Sequence, residues 1–297
     1  MISVGYRFQP SSRHFIGDVE QSQREEGHNQ IQNTYHLFDV NLSRDIGTRW
    51  NANVSIPFMK VHRNQLYPPR GIQEMTAIGD MTIGVRRWMF RPPTEFGGNI
   101  GIGINLKLPT GNYNQGGPAI GRDGNPVIAT FDQSIMTGDG GTGFSLDVQG
   151  YQPIPFSSML YFSGSYLFNP RDTNGVSTFR TRPGEEEMSV SDQYLFRAGV
   201  SRGVPKVPWL TATFGGRVEG VPVSDLLGDS NGFRRPGFAV SIDPGLMVST
   251  KGYVFSINSP WAVYRNRLRS LTDIQNNFHG DAAFADFAIV VGFSKRF

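Results

Sequence analysis

Few residues in this sequence have the types and spacing that catalysis or cofactor binding requires. The stretch Gly138–Gly143 matches the GxGxxG pattern of dinucleotide-binding loops, but a strand pattern follows it, so no helix N-terminus is available for a pyrophosphate. The acidic run Glu185–Glu187 lies in a predicted loop, where a solvated charge run is favoured over a divalent-cation site. No metal-ligand spacing connects the histidines, which are His14, His28, His36, His62 and His279. We therefore predict no metal site, no cofactor and no catalytic residue.

The enzyme class that this sequence has to be tested against is a lipid hydrolase with its active site on a β-barrel. Such an enzyme needs a serine, a histidine and an acidic or amide partner at one depth of its lipid-facing surface. Serine and histidine are both present, but no such set falls at one depth on the predicted outward face. The sequence therefore predicts a protein that is not an enzyme, with lipid hydrolysis as the less favoured alternative.

Charged and amide side chains recur on the strand face opposite to the apolar one. Unpaired charges inside a low-dielectric structure are costly, so these groups need either water or each other. Two interpretations stay open: a water-filled passage with charged walls, or a network of ion pairs that closes the interior. The predicted lumen-lining residues are Arg86, Asn105, Lys107, Asp147, Arg197, Arg217, Glu219, Asp243, Asp286 and Arg296.

The elements that must position these side chains are strands with a period of two. In Gly98–Leu108 the five aliphatic residues at even positions, from Ile100 to Leu108, alternate with glycine, asparagine and lysine. A helix would spread these aliphatics around its whole circumference. The same alternation recurs along the chain and predicts about twelve strands, an even number as in single-chain bacterial barrels. The predicted fold is all-β, a transmembrane antiparallel up-and-down β-barrel that forms a single domain over residues 1–297.

Composition and loop lengths agree with a barrel of the bacterial outer membrane. Charged residues make up 18% of the chain and glycine accounts for 36 residues, whereas soluble domains carry about 25% charged residues. Short connections alternate with long ones near residues 10–29, 63–76, 109–142, 170–190, 222–236 and 266–283. We therefore expect short periplasmic turns, long extracellular loops and both termini in the periplasm. We also expect that a secretory signal has been removed from the chain, because the alternation begins at Ile2.

Aromatic residues are predicted to form two girdles at the membrane interfaces, where amphipathic rings are favoured. Phe297 also ends the chain after outward-facing Ile289, Val291 and Phe293. This pattern is similar to the signal read by the barrel-assembly machinery, although Lys295 departs from it. The predicted interface aromatics are Trp50, Phe58, Tyr166, Phe168, Tyr253, Trp261 and Phe297.

Three segments resemble one family of barrels. Ile78–Val85 opens a strand with Gly79-Asp80, Ile104–Gly111 ends a strand in Leu-Pro-Thr-Gly, and Gly138–Tyr151 leads through glycines into a strand. They are similar to the outer-membrane family named for the MetA pathway of phenol degradation. The resemblance covers roughly residues 75–170 through these motifs and the rest by pattern. It implies an outer-membrane barrel that passes small, often hydrophobic or aromatic compounds, and it supplies no functional residues.

We therefore predict a passive channel whose partners are outer-membrane lipid, a small solute and the assembly machinery. A net charge of +3 without a basic stripe gives no indication of nucleic-acid binding. The alternative is a structural barrel that anchors or surrounds a partner protein, of unknown identity, with a closed lumen. The loop Pro109–Thr142 bears on this choice, because its apolar patch at Val127, Ile128, Phe131 and Ile135 is expected to fold over or into the barrel mouth.

Overall fold

The chain folds into a closed antiparallel β-barrel of twelve strands, as the alternation predicts. The computed structural model describes residues 1–67, 71–121, 123–178 and 180–297. The strands are β1 (Ile2–Ile16), β2 (Ile31–Ile46), β3 (Trp50–Gln65), β4 (Gly71–Ile78 and Met81–Trp88), β5 (Asn99–Leu108), β6 (Gly143–Ile154), β7 (Ser158–Phe168), β8 (Gln193–Gly203), β9 (Leu210–Val221), β10 (Gly237–Ile242 and Gly245–Thr250), β11 (Tyr253–Asn258 and Trp261–Arg267) and β12 (Ala282–Ala285 and Ile289–Lys295).

The barrel closes because the first strand pairs with the last. Residues 2–8 of β1 lie opposite residues 289–295 of β12, and the pairing resumes from Ser11 opposite Ala285 to Phe15 opposite Ala282. The other side of β1 pairs with β2, so β1 has no free edge. The N-terminal amine donates to the carbonyl of Ser43, which places the chain start at the end of the barrel that carries the short turns.

The two faces of the wall differ in chemistry, and β5 shows this most directly. The side chain of Ile104 is 49% exposed on the outer surface, whereas Asn105 is buried and donates to Ser145 and Asp147. Leu106 of β5 continues the apolar surface, and so do Val85 and Leu146 at outward positions of the neighbouring strands. A continuous apolar belt of this kind suits lipid hydrocarbon rather than water.

The seven predicted interface aromatics lie on the outer surface. Trp50, Phe58, Tyr253, Trp261 and Phe297 are exposed there, and Tyr166 and Phe168 pack on each other in β7. Further exposed rings that the sequence reading did not single out lie in the short turns, at Phe96 and Phe156.

Four strands are interrupted near mid-length. Pro244 breaks β10 and Pro260 breaks β11, because proline has no N–H to donate to the ladder. The wall stays joined at these points, since Ser259 donates to the Pro244 carbonyl and Ala288 donates to that of Pro260. In β4 the interruption is Gly79-Asp80, where strand segments on either side both pair with β3.

Two predicted long loops are partly wrong, because β1 continues to Ile16 within residues 10–29 and strands also extend into residues 63–76. Residues 63–76 were expected to form a loop because they are rich in polar residues and proline, but β3 continues to Gln65 and β4 begins at Gly71. Val61 and Met75 in this extension are buried against Phe131, Ile135 and Met136 of another loop. Tertiary packing therefore stabilises strand where local composition favours a loop.

The remaining long loops carry structure of their own. Short strands pair as Gly116–Ile120 with Pro126–Thr130, and as Thr173–Ser177 with Glu187–Ser189. Helices α1 (Gln23–Glu26) and α2 (Leu271–Gln275) are the helical segments of more than three residues in the described chain, and neither is long enough to cross a membrane.

Candidate functional site

The loop Pro109–Thr142 is anchored at its base by the motifs singled out in the sequence. Thr110 of Leu-Pro-Thr-Gly donates through its hydroxyl to the carbonyl of Gly79 at 2.8 Å and accepts the amide of Met81 at 2.9 Å. The Asp80 carboxylate accepts the amide of Gly111 at 2.9 Å. The interruption in β4 therefore frees backbone and carboxylate groups that hold the first residues of the loop.

The third motif meets the first two at the same place. The amides of Thr137 and Gly138 both donate to the carbonyl of Asn112 at 3.1 Å, so the two ends of the loop lie side by side. A Cβ on Gly111 would come within 2.5 Å of the Thr137 carbonyl oxygen. Glycine is required at this crossing because two backbones pass in contact.

Lys107 holds this base from inside the barrel. Its ammonium forms an ion pair with Asp139 and lies 3.6 Å from Asp80. Lys107 is buried, and a buried ammonium is retained only where carboxylates compensate the loss of water. This predicted lumen residue therefore fixes the loop base and does not face an open passage as a bare charge.

The distal part of the loop folds inward. Ile135 is fully buried, and Phe131 and Met136 are buried beside it in a cluster with Val61 and Met188. This confirms the expected inward fold for Phe131 and Ile135. The expectation is wrong for Val127 and Ile128, because both lie in the hairpin Gly116–Thr130, where Ile128 is 77% exposed. The sequence patch is split because the two halves belong to different secondary structures.

An ion-pair cluster locks the buried part of the loop across the barrel mouth. Asp132 accepts two hydrogen bonds from Arg235, at 2.8 and 2.7 Å, and lies 3.4 Å from Arg63 of β3. Burial would raise the pKa of the Asp132 carboxyl, but the charges of Arg235 and Arg63 and the hydrogen bonds hold that pKa well below its usual range. The lock is thus fully formed at neutral pH and persists until the pH falls through this lowered pKa.

Beneath the loop lies a cavity of about 920 Å³ inside the barrel. Its roof includes Gln133, Ser134 and Met136 of the loop. One part of its wall is polar, and includes Thr82, Asn105, Ser145 and Ser165; another part is apolar, and includes Met59, Leu167, Leu195, Val221 and Ala239. A cavity of this size and mixed lining fits one small organic molecule.

Ion pairs border the cavity, which Arg7 and Glu219 also line, and one of these pairs crosses the lumen. Arg7 of β1 lies 2.7 Å from Glu219 of β9, and Arg217 lies at the same distance from that carboxylate. Arg197 of β8 lies 2.9 Å from Asp243 at the interruption of β10. We refer to Arg7, Arg197, Arg217, Glu219 and Asp243 as the charge belt.

The other predicted lumen residues lie in different settings. Asp147 accepts hydrogen bonds from Asn105 and Ser165 at 2.6 and 2.7 Å. Arg86 faces inward with Nε buried and without a hydrogen-bond partner among the described residues. Asp286 accepts from Arg13 and Arg265.

Arg296 does not line the lumen, contrary to the prediction. It is exposed at the short-turn end, 3.2 Å from Asp45, and its side chain is 61% exposed. The alternation of β12 ends at Lys295, so parity no longer sets the direction of the next side chain, and Arg296 lies on the rim instead of lining the lumen.

Sequence reasoning missed the groups that close the mouth. Asp132, Arg63 and Arg235 lie on a loop, a strand extension and a second loop, so no spacing connects them. Arg7 was also missed, although it shares the inward parity of Ser3 and Gly5 in β1. The parity signal could have found Arg7, whereas only the folded loops bring the other three together.

Two solved structures with TM-scores above 0.5 agree with this architecture, and a third has a weaker likeness. The COG4313 outer membrane channel from Pseudomonas putida F1 is similar at TM-score 0.67 and 9% identity, over 100% of this chain and 94% of that chain. The β domain of the Bordetella autotransporter BrkA is similar at TM-score 0.54 and 12% identity, over 100% of both chains. The P. putida toluene transporter TodX gives TM-score 0.48 at 9% identity, over 100% of this chain and 89% of that chain.

No protein-family model and no curated protein matches the sequence. At these identities the structural likeness shows the fold. This chain has the twelve-stranded antiparallel barrel fold of an outer-membrane channel protein.

Proposed function

We propose that this protein is a passive outer-membrane channel for small organic solutes, including hydrophobic or aromatic ones. The observation that carries the proposal is the cavity of about 920 Å³ between the inward-folded loop and the charge belt. A purely structural barrel gains nothing from such a space, because a filled interior would be more stable. The mixed lining offers apolar contact on one side and hydrogen bonds on the other.

The three interlocking motifs support membership of the phenol-degradation barrel family. Their side chains and backbones meet at the loop base through Thr110, Asp80 and Asp139. The three short motifs therefore share one structural role, which is to hold the base of this loop. In this proposal residues 1–297 form one domain, the long loops are extracellular, and both termini are periplasmic. The barrel fold shared with the COG4313 outer membrane channel supports this proposal.

The competing function is a barrel with a closed lumen that anchors a partner. The charge belt favours it, because the Arg7–Glu219 pair joins β1 to β9 across the interior. Ion conductance of the purified, folded protein in planar bilayers separates the two functions. Discrete single-channel steps are expected for the channel, and a folded barrel that stays silent would overturn it. Phospholipid hydrolysis by the same preparation would instead favour the third candidate, a barrel lipid hydrolase.

The C-terminal residue provides a test of assembly. Deleting Phe297 should slow insertion into the outer membrane, since its exposed ring ends the outward aromatic and aliphatic series of β12. The rate can be followed by pulse-chase labelling with heat-modifiable gel mobility as the folding marker. Replacing Phe297 with Tyr is the matched control and should insert at the wild-type rate. Equal rates for the deletion and the wild type would show that the assembly machinery does not read this residue.

A further inference from the structure

A second cavity, of about 260 Å³, lies at the long-loop end and adjoins the lumen cavity. The two cavities share the lining residues Tyr35, Ser134 and Arg235. We call the smaller one the vestibule. It lies among the long loops, next to the segment that closes the mouth.

The vestibule is rich in arginine. Three carboxylates line it, Glu185, Asp273 and Asp281, and a fourth, Asp132, pairs with two of its arginines. These acids do not balance the cations that surround the same space. The lining arginines are Arg24, Arg63, Arg180, Arg182, Arg235 and Arg267.

Four of the six arginines are committed to structural partners. Arg267 lies 3.0 Å from Asp273 and Arg24 lies 2.6 Å from Asp281. Arg63 and Arg235 hold Asp132, as described above. These contacts fix the long loops to one another and leave little donor capacity for a ligand.

Arg180 and Arg182 differ from the other four. Their guanidinium groups lie 3.6 and 3.8 Å from the same buried carboxylate, that of Glu185. Neither guanidinium donates a hydrogen bond to any residue that the structure describes, and both side chains are partly exposed. Two cations thus share one anion at a distance too long for good hydrogen bonds, so their donors remain available.

Aromatic rings cover the faces of these two guanidinium groups. Arg180 lies 3.7 Å from the ring centre of Phe233, and Arg182 lies 3.4 Å from that of Phe278. Arg235 approaches the same Phe233 ring at 4.7 Å. The vestibule therefore combines free N–H donors with stacked rings and planar cations, a surface that suits a flat, apolar anion.

We propose that the vestibule binds a small aromatic carboxylate and presents it to the channel. The carboxylate would accept hydrogen bonds from Arg180 and Arg182, and the ring would pack among Phe233, Phe278 and the guanidinium planes. This inference deepens the proposed channel function by naming a solute class. A phosphate ion would satisfy the donors but would gain nothing from the aromatic walls, so an aromatic acid fits better.

The test is calorimetric titration of the folded, full-length protein in detergent micelles. The probes are benzoate, the neutral ring compound benzyl alcohol and inorganic phosphate. We expect saturable binding of benzoate and at least about tenfold weaker binding of the other two, because each lacks one half of the recognition. Equal affinity for benzoate and phosphate, or the absence of saturable benzoate binding, would overturn the proposal.

Two variants connect the binding to the named residues. R180Q/R182Q should weaken benzoate binding by about tenfold or more, since two charge-assisted donors are lost. This change leaves Glu185 buried without a counter-charge, so R180Q/R182Q/E185Q is the neutral version that keeps the site folded if the first variant does not. R202Q, on the short-turn half of β8 and exposed, is the matched control and should bind as the wild type does.

Unchanged benzoate affinity in the folded triple variant would show that the anion binds elsewhere. Conductance measured on the same preparations keeps this result separate from the channel proposal. A conducting protein that binds no benzoate overturns only the vestibule inference. A silent barrel that binds benzoate overturns the channel and leaves the binding site.

Discussion

Removing residues 112–136 should raise single-channel conductance several-fold while the barrel stays folded. The deleted segment carries Phe131, Ile135 and Met136, which fill the mouth above the lumen cavity. Its ends can be rejoined, because the backbones of Gly111 and Thr137 already pass in contact. The measurement is conductance in planar bilayers, with heat-modifiable gel mobility as the check on folding.

A smaller deletion is the control for this experiment. Removing residues 117–129 takes away most of the hairpin but leaves Asp132 and the buried Phe131, Ile135 and Met136. The new ends, Gly116 and Thr130, are direct partners across the hairpin. This variant should conduct as the wild type does. If the longer deletion also left conductance unchanged in a folded barrel, the loop would not be the constriction, and the resistance would lie at the charge belt.

The lock at Asp132 also sets an expectation for pH. Its carboxyl pKa lies well below the usual range, so the carboxylate stays charged from neutral pH down through the ordinary carboxyl range. Wild-type conductance should therefore not rise on mild acidification. A rise that the Asp132→Asn variant abolished would contradict this account of the lock.

Replacing Ile104 with Arg should prevent stable insertion of the barrel. Ile104 lies near mid-strand on the exposed apolar face of β5, and arginine at the bilayer midplane of a barrel costs about 2–4 kcal/mol. The readout is the folded fraction in lipid vesicles by heat-modifiable gel mobility. The loss should be large because a barrel has to bury its whole apolar belt in one cooperative step.

The adjacent position gives a matched control for the register. Asn105→Arg introduces the same side chain into the lumen, where the Asp147 carboxylate, 2.6 Å from the present amide nitrogen, supplies a counter-charge. We expect a much milder loss of folding than for Ile104→Arg. An equal loss of the folded fraction for both variants would contradict the assignment of Ile104 to the outer face and Asn105 to the lumen.

The period-two pattern by itself determined the barrel, a count of about twelve strands, and the face of each residue within a regular strand segment. It could do so because successive side chains of a strand point to opposite sides of the wall. Once one residue of a regular segment is known to face outward, the faces of the other residues in that segment follow. This rule places Ile104 on the outer face and Asn105 on the inner face. It also places Lys107, Arg197 and Glu219 on the inner face.

Only the tertiary structure decided how those inward charges pair and what closes the mouth. Arg7 meets Glu219 because barrel closure brings β1 and β9 to face each other across the lumen, 212 residues apart in sequence. Asp132 meets Arg235 through two loops whose conformations have no period. Where no repeating geometry relates a residue to its neighbours, long-range packing decides its position. The ion pairs of the interior and the loop that closes the mouth were decided in this way.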